Sequence, residues 1–373
     1  MARRWLSATL VVIVLLAALA YDLWQTQKQS AAPTAPAGQS ADVAGGKSIV
    51  VYFTDPKYPD DPRNHQGGLD EKLVALMDRA RETLDVADYD FDLANVADAM
   101  ARAKNRGVRV RMVTDTDTLA NVKDEKVQDA FRRLKEAGVP IVDDQRPAIM
   151  HDKFTVVDGE WVSTGSWNYT DGDTYHLNNW MGIFRSRELA ANYTAEFEQM
   201  FARKFGPAKE RRTPYPTLTI DGKRVQSCFS PKDHCADLIV DTIQKQTRQS
   251  LYFMAFSFTH DGIGKAIEER ARAGVAVSGV FEKTGSQTQF SEYGRMKKSG
   301  LDVYTDGNPW TMHHKVIIVD ERIVIAGSFN FSANADEDND ENLLIVEDES
   351  LARAFRAEFD RVLQQAKHPP SKS

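Results

Sequence analysis

Between residues 81 and 113 the apolar positions change rhythm twice. A cluster around Leu84 reads as a strand; Val96, Ala99, Met100 and Ala103 then recur at helical spacing; Gly107 follows, and a second apolar cluster closes the segment. The same succession runs from 248 to 280, where Ile263, Ala266, Ile267 and Ala271 keep the helical spacing and Gly274 stands in the place of Gly107. The two stretches align without a gap: Leu84 over Leu251 and Tyr89 over Phe256, each 167 positions apart. Gly107 and Gly274 fall where a helix end needs a left-handed residue before the next strand. Strand, helix, glycine, strand is βαβ logic and predicts a mainly parallel or mixed sheet flanked by helices.

A second pair of segments extends the repeat. Residues 138–168, ending in "MHDKFTVVDGEWVSTGSWN", align with 300–330, ending in "MHHKVIIVDERIVIAGSFN", at an offset of 162 positions, so one loop differs in length by five residues. The chain therefore reads as α/β with two tandem halves, 48–210 and 215–366, expected to face each other across a pseudo-twofold axis with the site between them. With both motifs in one chain, a monomer is expected.

The flanks differ from this body. Arg3 and Arg4 precede an uncharged run from Trp5 to Tyr21. Residues 1–24 are thus expected to be a signal peptide or a membrane anchor, with the body exported to a bacterial periplasm or beyond, or held at the inner membrane by residues 5–24. Residues 25–47, rich in Ala, Pro, Gly, Ser and Gln, read as a flexible linker, and 367–373 as a disordered tail. In an exported protein the two cysteines, Cys228 and Cys235, are expected to close a local disulfide.

The net charge of −7 argues against an extended electrostatic grip on nucleic acid, although a basic groove can hide within an acidic total. Two basic stretches, 101–111 and 202–212, are read as a solvated helix face with a strand edge and as an inter-half linker.

The candidate chemistry sits in the repeated segment. Each half carries His, any residue, Lys, four residues, Asp: His151, Lys153 and Asp158, then His313, Lys315 and Asp320. A Gly-Ser-x-Asn follows each, giving Ser166 and Asn168, then Ser328 and Asn330. On an extended strand positions i and i+2 share a face, so each His projects with its Lys. A lysine beside each histidine repels a metal ion, so no metal and no cofactor are expected. Two His and two Lys converging across an interface suit an anion, and phosphate fits. The lysines and asparagine amides hold its oxygens while one histidine attacks phosphorus and the other protonates the leaving alkoxide.

This doubled HxKxxxxD with GSxN resembles the phospholipase D superfamily over nearly the whole body, 48 to 364. The resemblance implies two α/β/α sandwich halves sharing one active site, and metal-independent cleavage of a phosphodiester through a covalent phosphohistidine. It also implies a mostly structural role for Asp158 and Asp320. The second motif is similar to small bacterial endonucleases of the superfamily.

Family members carry an acidic residue after GSxN that hydrogen-bonds the histidine. Glu341 stands 28 positions after His313, whereas the matching place after His151 is Asn179. The expectation is that Glu341 partners His313, which starts protonated as the general acid, and that Asn179 partners His151, the neutral nucleophile. Ser166, Ser328, Asn179 and Trp310 are expected to line the substrate site. His314 is expected to point to the opposite strand face, Trp167 and Phe329 to lie in the core. The acidic run 336–341 reads as a solvated loop, with Asp336, Asp338, Asp340 and Glu347 spaced only loosely like a calcium loop. The expected activity is a phospholipid phosphodiesterase, with an endonuclease acting on DNA or RNA as the alternative and a catalytically silent phosphodiester-binding protein behind both.

Overall fold

The computed structural model describes residues 43–45, 48–121 and 123–370. The signal or anchor expectation for 1–24 lies outside them, as do 25–42, 46–47 and the last three residues. No helix among the described residues is long and apolar enough to cross a membrane.

The first half runs β1 (Val43–Gly45), β2 (Ile49–Phe53), α1 (Leu69–Met77), β3 (Thr83–Asp88), α2 (Ala94–Asn105), β4 (Arg109–Thr114), α3 (Thr116–Leu119), α4 (Glu125–Glu136), β5 (Ile141–Asp143), β6 (Lys153–Val157), β7 (Trp161–Gly165), α5 (Asp171–Tyr175), β8 (Leu177–Asn178), β9 (Trp180–Arg185) and α6 (Arg187–Phe201). The second runs β10 (Thr217–Ile220), β11 (Lys223–Ser230), α7 (Cys235–Gln246), β12 (Ser250–Ala255), α8 (Asp261–Arg272), β13 (Ala276–Phe281), α9 (Glu292–Lys298), β14 (Asp302–Thr305), β15 (Thr311–Met312), β16 (Lys315–Val319), β17 (Ile323–Gly327), α10 (Ala333–Glu337), β18 (Glu341–Glu347) and α11 (Glu349–Lys367).

Each half builds one mixed sheet of eight strands. The orders are β1-β2-β9-β7-β6-β3-β4-β5 and β10-β11-β18-β17-β16-β12-β13-β14, and they match strand for strand. The βαβ units give the parallel pairs β3–β4 and β12–β13, while the motif strands β6 and β16 run antiparallel to β3 and β12. Helix α2 ends on Gly107 at φ +90° and α8 on Gly274 at φ +91°, the left-handed backbone that the two glycines supply without steric cost.

Motif strands β6 and β16 are buried along their whole length, which explains why both read as continuous apolar runs after the lysine. One face of each sheet packs on helices of its own half. The other faces join α6 and α11 in a shared core that takes Val51, Phe154 and Trp180 from one half and Val316, Val324 and Leu344 from the other. The described residues form one compact unit, so the halves present a fixed interface to the site.

Two short backbone links cross that interface. Strand β8 pairs in parallel with β15, Leu177 opposite Thr311 and Asn178 opposite Met312; an isolated bridge joins Met150 to Asp340.

Cys228 and Cys235 form a disulfide that ties the end of β11 to the start of α7.

Candidate active site

The motif histidines lie immediately before β6 and β16, and each is anchored by the opposite half. The His151 N–H donates to Asp340 O at 2.9 Å, and the His313 N–H to Asn178 O at 3.0 Å. Each histidine is thereby set beside the residue that follows that carbonyl, Glu341 or Asn179. The ring contacts follow. His151 Nδ1 is 2.8 Å from Glu341 Oε2, and His313 Nδ1 is 2.9 Å from Asn179 Oδ1.

This reverses the expected partnership. The carboxylate orients His151 and the amide orients His313, because the links between halves exchange the partners that sequence order assigns. The expectation that His313 starts protonated is opposed by burial and by Lys315.

Each lysine shares an aromatic ring with its histidine. Lys153 Nζ lies 4.9 Å from the centre of the Tyr89 ring, and the His151 ring 5.1 Å from the same centre. In the second half the distances to the Phe256 ring are 4.5 Å for Lys315 and 4.6 Å for His313. The ammonium groups also donate to the carbonyls of His151 at 2.7 Å and His313 at 2.8 Å. Both histidines are nearly closed off from solvent, at 4% and 6% exposure, so a reacting group must enter a tight polar cleft.

The GSxN turns complete the walls. The Ser166 hydroxyl donates to Asn179 Oδ1 at 2.8 Å, which fixes the amide that faces His313. Ser328 Oγ accepts the Asn342 N–H at 3.0 Å, next to Glu341. Asn168 and Asn330 each leave a buried side-chain oxygen without a hydrogen-bond partner, while Asn168 Nδ2 donates to Asp173 Oδ1 at 3.2 Å. Trp167 and Phe329 are buried.

Asp158 and Asp320 lie at the far ends of the motif strands. Asp158 adopts φ +53° and accepts the N–H groups of Arg81, Glu82 and Thr83; Asp320, at φ +51°, accepts those of Arg248, Gln249 and Ser250. Each carboxylate therefore fastens its motif hairpin to the start of β3 or β12. His314 points to the other face of its strand, fully buried, with Nε2 2.8 Å from Glu358 Oε1.

Burial and crowding of cations set the resting protonation. Burial, then Lys153, Lys315 and His313, holds the His151 imidazole well below its ordinary value. Burial and Lys315 push His313 down to about 4, against the pull of Asp173. Lys315 is driven down by burial and by Lys153; Lys153 is lowered less, because Glu341, Asp88 and Asp173 surround it. Burial pushes the Glu341 carboxyl up and Lys153 opposes it. The resting cleft thus holds neutral imidazoles.

A family model described as cardiolipin synthase, PLD-like domain, matches residues 73–201 and 239–363, more than half of the chain and both halves of the repeat. The chain belongs to the phospholipase D superfamily. It is a phosphodiester hydrolase of that superfamily. It is similar to the phospholipase D of Rickettsia conorii, 33% identical over 141 residues that cover 38% of this chain and 70% of that protein. It is also similar to the human mitochondrial cardiolipin hydrolase, 36% identical over 132 residues, 34% of this chain and 52% of that enzyme. Among solved structures, the phosphatidylserine synthase of Haemophilus influenzae superposes with a TM-score of 0.61 over 85% of this chain and 86% of that one; at 14% identity the likeness is one of fold.

Within this phospholipase D-type cleft, one carboxylate escapes the motif. Asp173 Oδ1 accepts from the Asn168 N–H at 3.2 Å and from Asn179 Nδ2 at 3.0 Å, and lies 3.4 Å from His313 Nδ1. Burial pushes this carboxyl up, yet His313, Asn168 and Lys153 outweigh it and hold it below the usual range. At the 162 offset, Asp173 in "TDGD" falls on Ala335 in "SANA". The first half has moved its acid six residues upstream, from the place held by Asn179 to the first turn of α5. That acid-for-alanine mismatch was the available signal.

Two more expectations change. The run 336–341 is not a solvated acidic loop. Asp336 accepts the Ala236 N–H, and Glu347 pairs with Arg224 and Arg322. Asp340 is fully buried against Arg146 and Lys209, with Lys209 Nζ at 2.7 Å, so these carboxylates diverge and form no calcium loop. The basic stretches are also less basic than they read. Arg102 pairs with Asp78, Arg111 with Asp85 and Glu198, and Lys209 is buried in its ion-pair cluster. Trp310 is stacked on His176 at 4.5 Å and sets its edge on Tyr58 at 5.5 Å.

Proposed function

We propose that this enzyme cleaves phospholipid phosphodiesters in two displacements at phosphorus, with His151 as the nucleophile and His313 as the acid and base. The exchanged pairing carries this reading. A histidine attacks through Nε2 only if its other nitrogen holds the proton, and Glu341 is placed to accept the His151 Nδ1–H. Ionised Glu341 also stabilises the positive charge that forms on His151 as the P–N bond is made.

His151 Nε2 bonds to phosphorus as the P–O bond to the headgroup breaks, and the departing alkoxide takes a proton from His313 Nε2. Water then attacks the phosphohistidine, gives its proton to His313, and the P–N bond breaks to release phosphatidate. His313 must hold a proton for the first step. The bound phosphodiester brings a negative charge into a cleft where burial and two lysines had expelled the proton, and so favours recharging. Lys153, Lys315 and the amides of Asn168 and Asn330 are the groups that hold the nonbridging oxygens, with Ser166 and Ser328 fixing the walls and Trp310 at the rim.

Several cations of the two basic stretches are paired with neighbouring carboxylates, which weighs toward a single phosphodiester headgroup over a nucleic-acid strand. The relatives named phospholipase D and cardiolipin hydrolase agree with a lipid substrate. Export, by an N-terminal segment that is cleaved or kept as an anchor, would bring the cleft to a bilayer.

The test offers the purified protein phosphatidylcholine vesicles, cardiolipin vesicles, and single- and double-stranded DNA without added divalent metal. Release of choline or of phosphatidate, abolished by His151→Ala, is the expected result. DNA cleavage with vesicles untouched, lost in the same variant, would replace the lipid reading with an endonuclease. Binding without turnover of either would make the protein catalytically silent.

A further inference from the structure

A second cluster of chemistry-bearing side chains stands outside the HxK cleft. Asp60 comes from the loop between β2 and α1, His65 from the same loop five residues on, and His176 from the turn between α5 and β8. Asp60 Oδ1 is 2.8 Å from His65 Nε2, and Asp60 Oδ2 is 3.1 Å from His176 Nε2. All three donor atoms lie within 4.8 Å of one another.

We propose that Asp60, His65 and His176 form a zinc-class metal site that braces the rim of the cleft. Two imidazole nitrogens with one carboxylate oxygen are a zinc donor set, leaving a fourth tetrahedral position to water. Metal–ligand bonds near 2.1 Å put tetrahedral donors about 3.4 Å apart, which the observed spacing reaches with small side-chain movements.

His176 Nε2 is shielded from solvent, and among the described residues its polar neighbour is Asp60 Oδ2 at 3.1 Å. Both imidazole nitrogens thus converge on one carboxylate, the arrangement that a shared metal ion would draw together.

Both rings are also held from behind. His65 stacks on Tyr175 with centroids 4.0 Å apart, and His176 on Trp310 at 4.5 Å. His65 Nδ1 faces Asp171 Oδ1 at 3.6 Å, a carboxylate placed to orient a ligating imidazole. Lys57 pairs with Asp55, Arg63 with Asp61 and Lys126 with Asp171. The positive charge of a metal ion would meet no uncompensated neighbour among these.

The position gives the site a purpose. His176 directly precedes β8, whose Asn178 carbonyl anchors His313. Asn308 Nδ2 donates to His176 O at 3.0 Å and to Asn178 Oδ1 at 2.7 Å. A metal here would pin the 54–68 loop, the β8 edge and, through Trp310, the second half's loop into one rim on the His313 side. The role is structural, and no reacting atom needs to touch the ion.

The experiment uses the intact protein stripped by a chelator and dialysed, then titrated with zinc and, separately, with cobalt(II). The expected result is one zinc retained per chain on gel filtration, a higher Tm, and cobalt absorption typical of a tetrahedral site. His176→Ala and Asp60→Asn should each weaken zinc binding by at least about tenfold, while His234→Ala leaves it unchanged. Folded wild-type protein that retains no zinc, or zinc retention unaffected in His176→Ala and Asp60→Asn, would overturn the proposal. Loss of lipid turnover with zinc binding intact would bear on the proposed function and not on this site.

Discussion

Asn179 and Glu341 occupy equivalent places in the repeat, yet each orients the histidine of the other half. Counting 28 positions from each histidine found the right residues and joined them wrongly, because spacing along a chain carries no record of which strand end crosses the interface. Asp173 stayed hidden for a related reason: it serves the same histidine as Asn179 from a different turn. Its negative charge is the main support for a proton on His313, so Asp173→Asn should lower that imidazole's pKa further below about 4. Fewer molecules then carry the acid at any pH. The alkaline limb of kcat/KM, set by the group that must be protonated, should move to lower pH in the variant while KM changes little; an unshifted limb would leave Asp173 with packing alone. Folding stability follows the same shift. His313 binds a proton less readily folded than unfolded, so its contribution is full above about 6.5 and is lost as pH falls from there toward about 4. Replacing His313 by Gln should flatten stability across that window, measured by denaturant unfolding.

At the scale of elements, the hairpin that bears each motif hangs on one aspartate. Asp158 and Asp320 each accept three backbone N–H groups from the neighbouring strand start while sitting in left-handed backbone. Asp158→Ala or Asp320→Ala should cost about 1–3 kcal/mol of stability, read as a lower unfolding midpoint, and should loosen the motif lysine at the other end of the strand. Unchanged stability would show that the turn holds without them. The strands themselves were legible: a run of β-branched residues after the lysine, bounded by Asp-Gly or Asp-Glu, reads as a buried strand and a turn. The two-residue strands β8 and β15 were not, since a Leu-Asn or Thr-Met pair has no periodicity to detect. They set His313 beside Asn179, and the single Met150–Asp340 bridge, equally invisible to periodicity, sets His151 beside Glu341.

For the molecule as a whole, the repeat was the strongest signal in the chain and delivered both sheets with the same strand order. Charge was less legible, because Lys209 and Arg111 read as surface cations and are ion-paired inside. The disulfide between Cys228 and Cys235 closes a short loop between β11 and α7, within the core of the second half. Chain-entropy arguments put its contribution at about 2–3 kcal/mol. Cys228→Ser with Cys235→Ser should therefore lower the unfolding free energy by about that amount and leave the pH profile of turnover alone. A changed profile would mean that the disulfide shapes the cleft as well as the fold.

The most direct measurement is to quench the enzyme during turnover and map the phosphorylated residue by mass spectrometry, using a phosphodiester with an activated aryl leaving group. Such a leaving group needs no acid, so His313→Ala should still form the phosphoenzyme and then hydrolyse it slowly. Label on His151, enriched in His313→Ala and absent from His151→Ala, is the predicted result. Label on His313, or a phosphoenzyme that survives His151→Ala, would contradict the assignment of nucleophile and acid and the exchanged pairing that supports it.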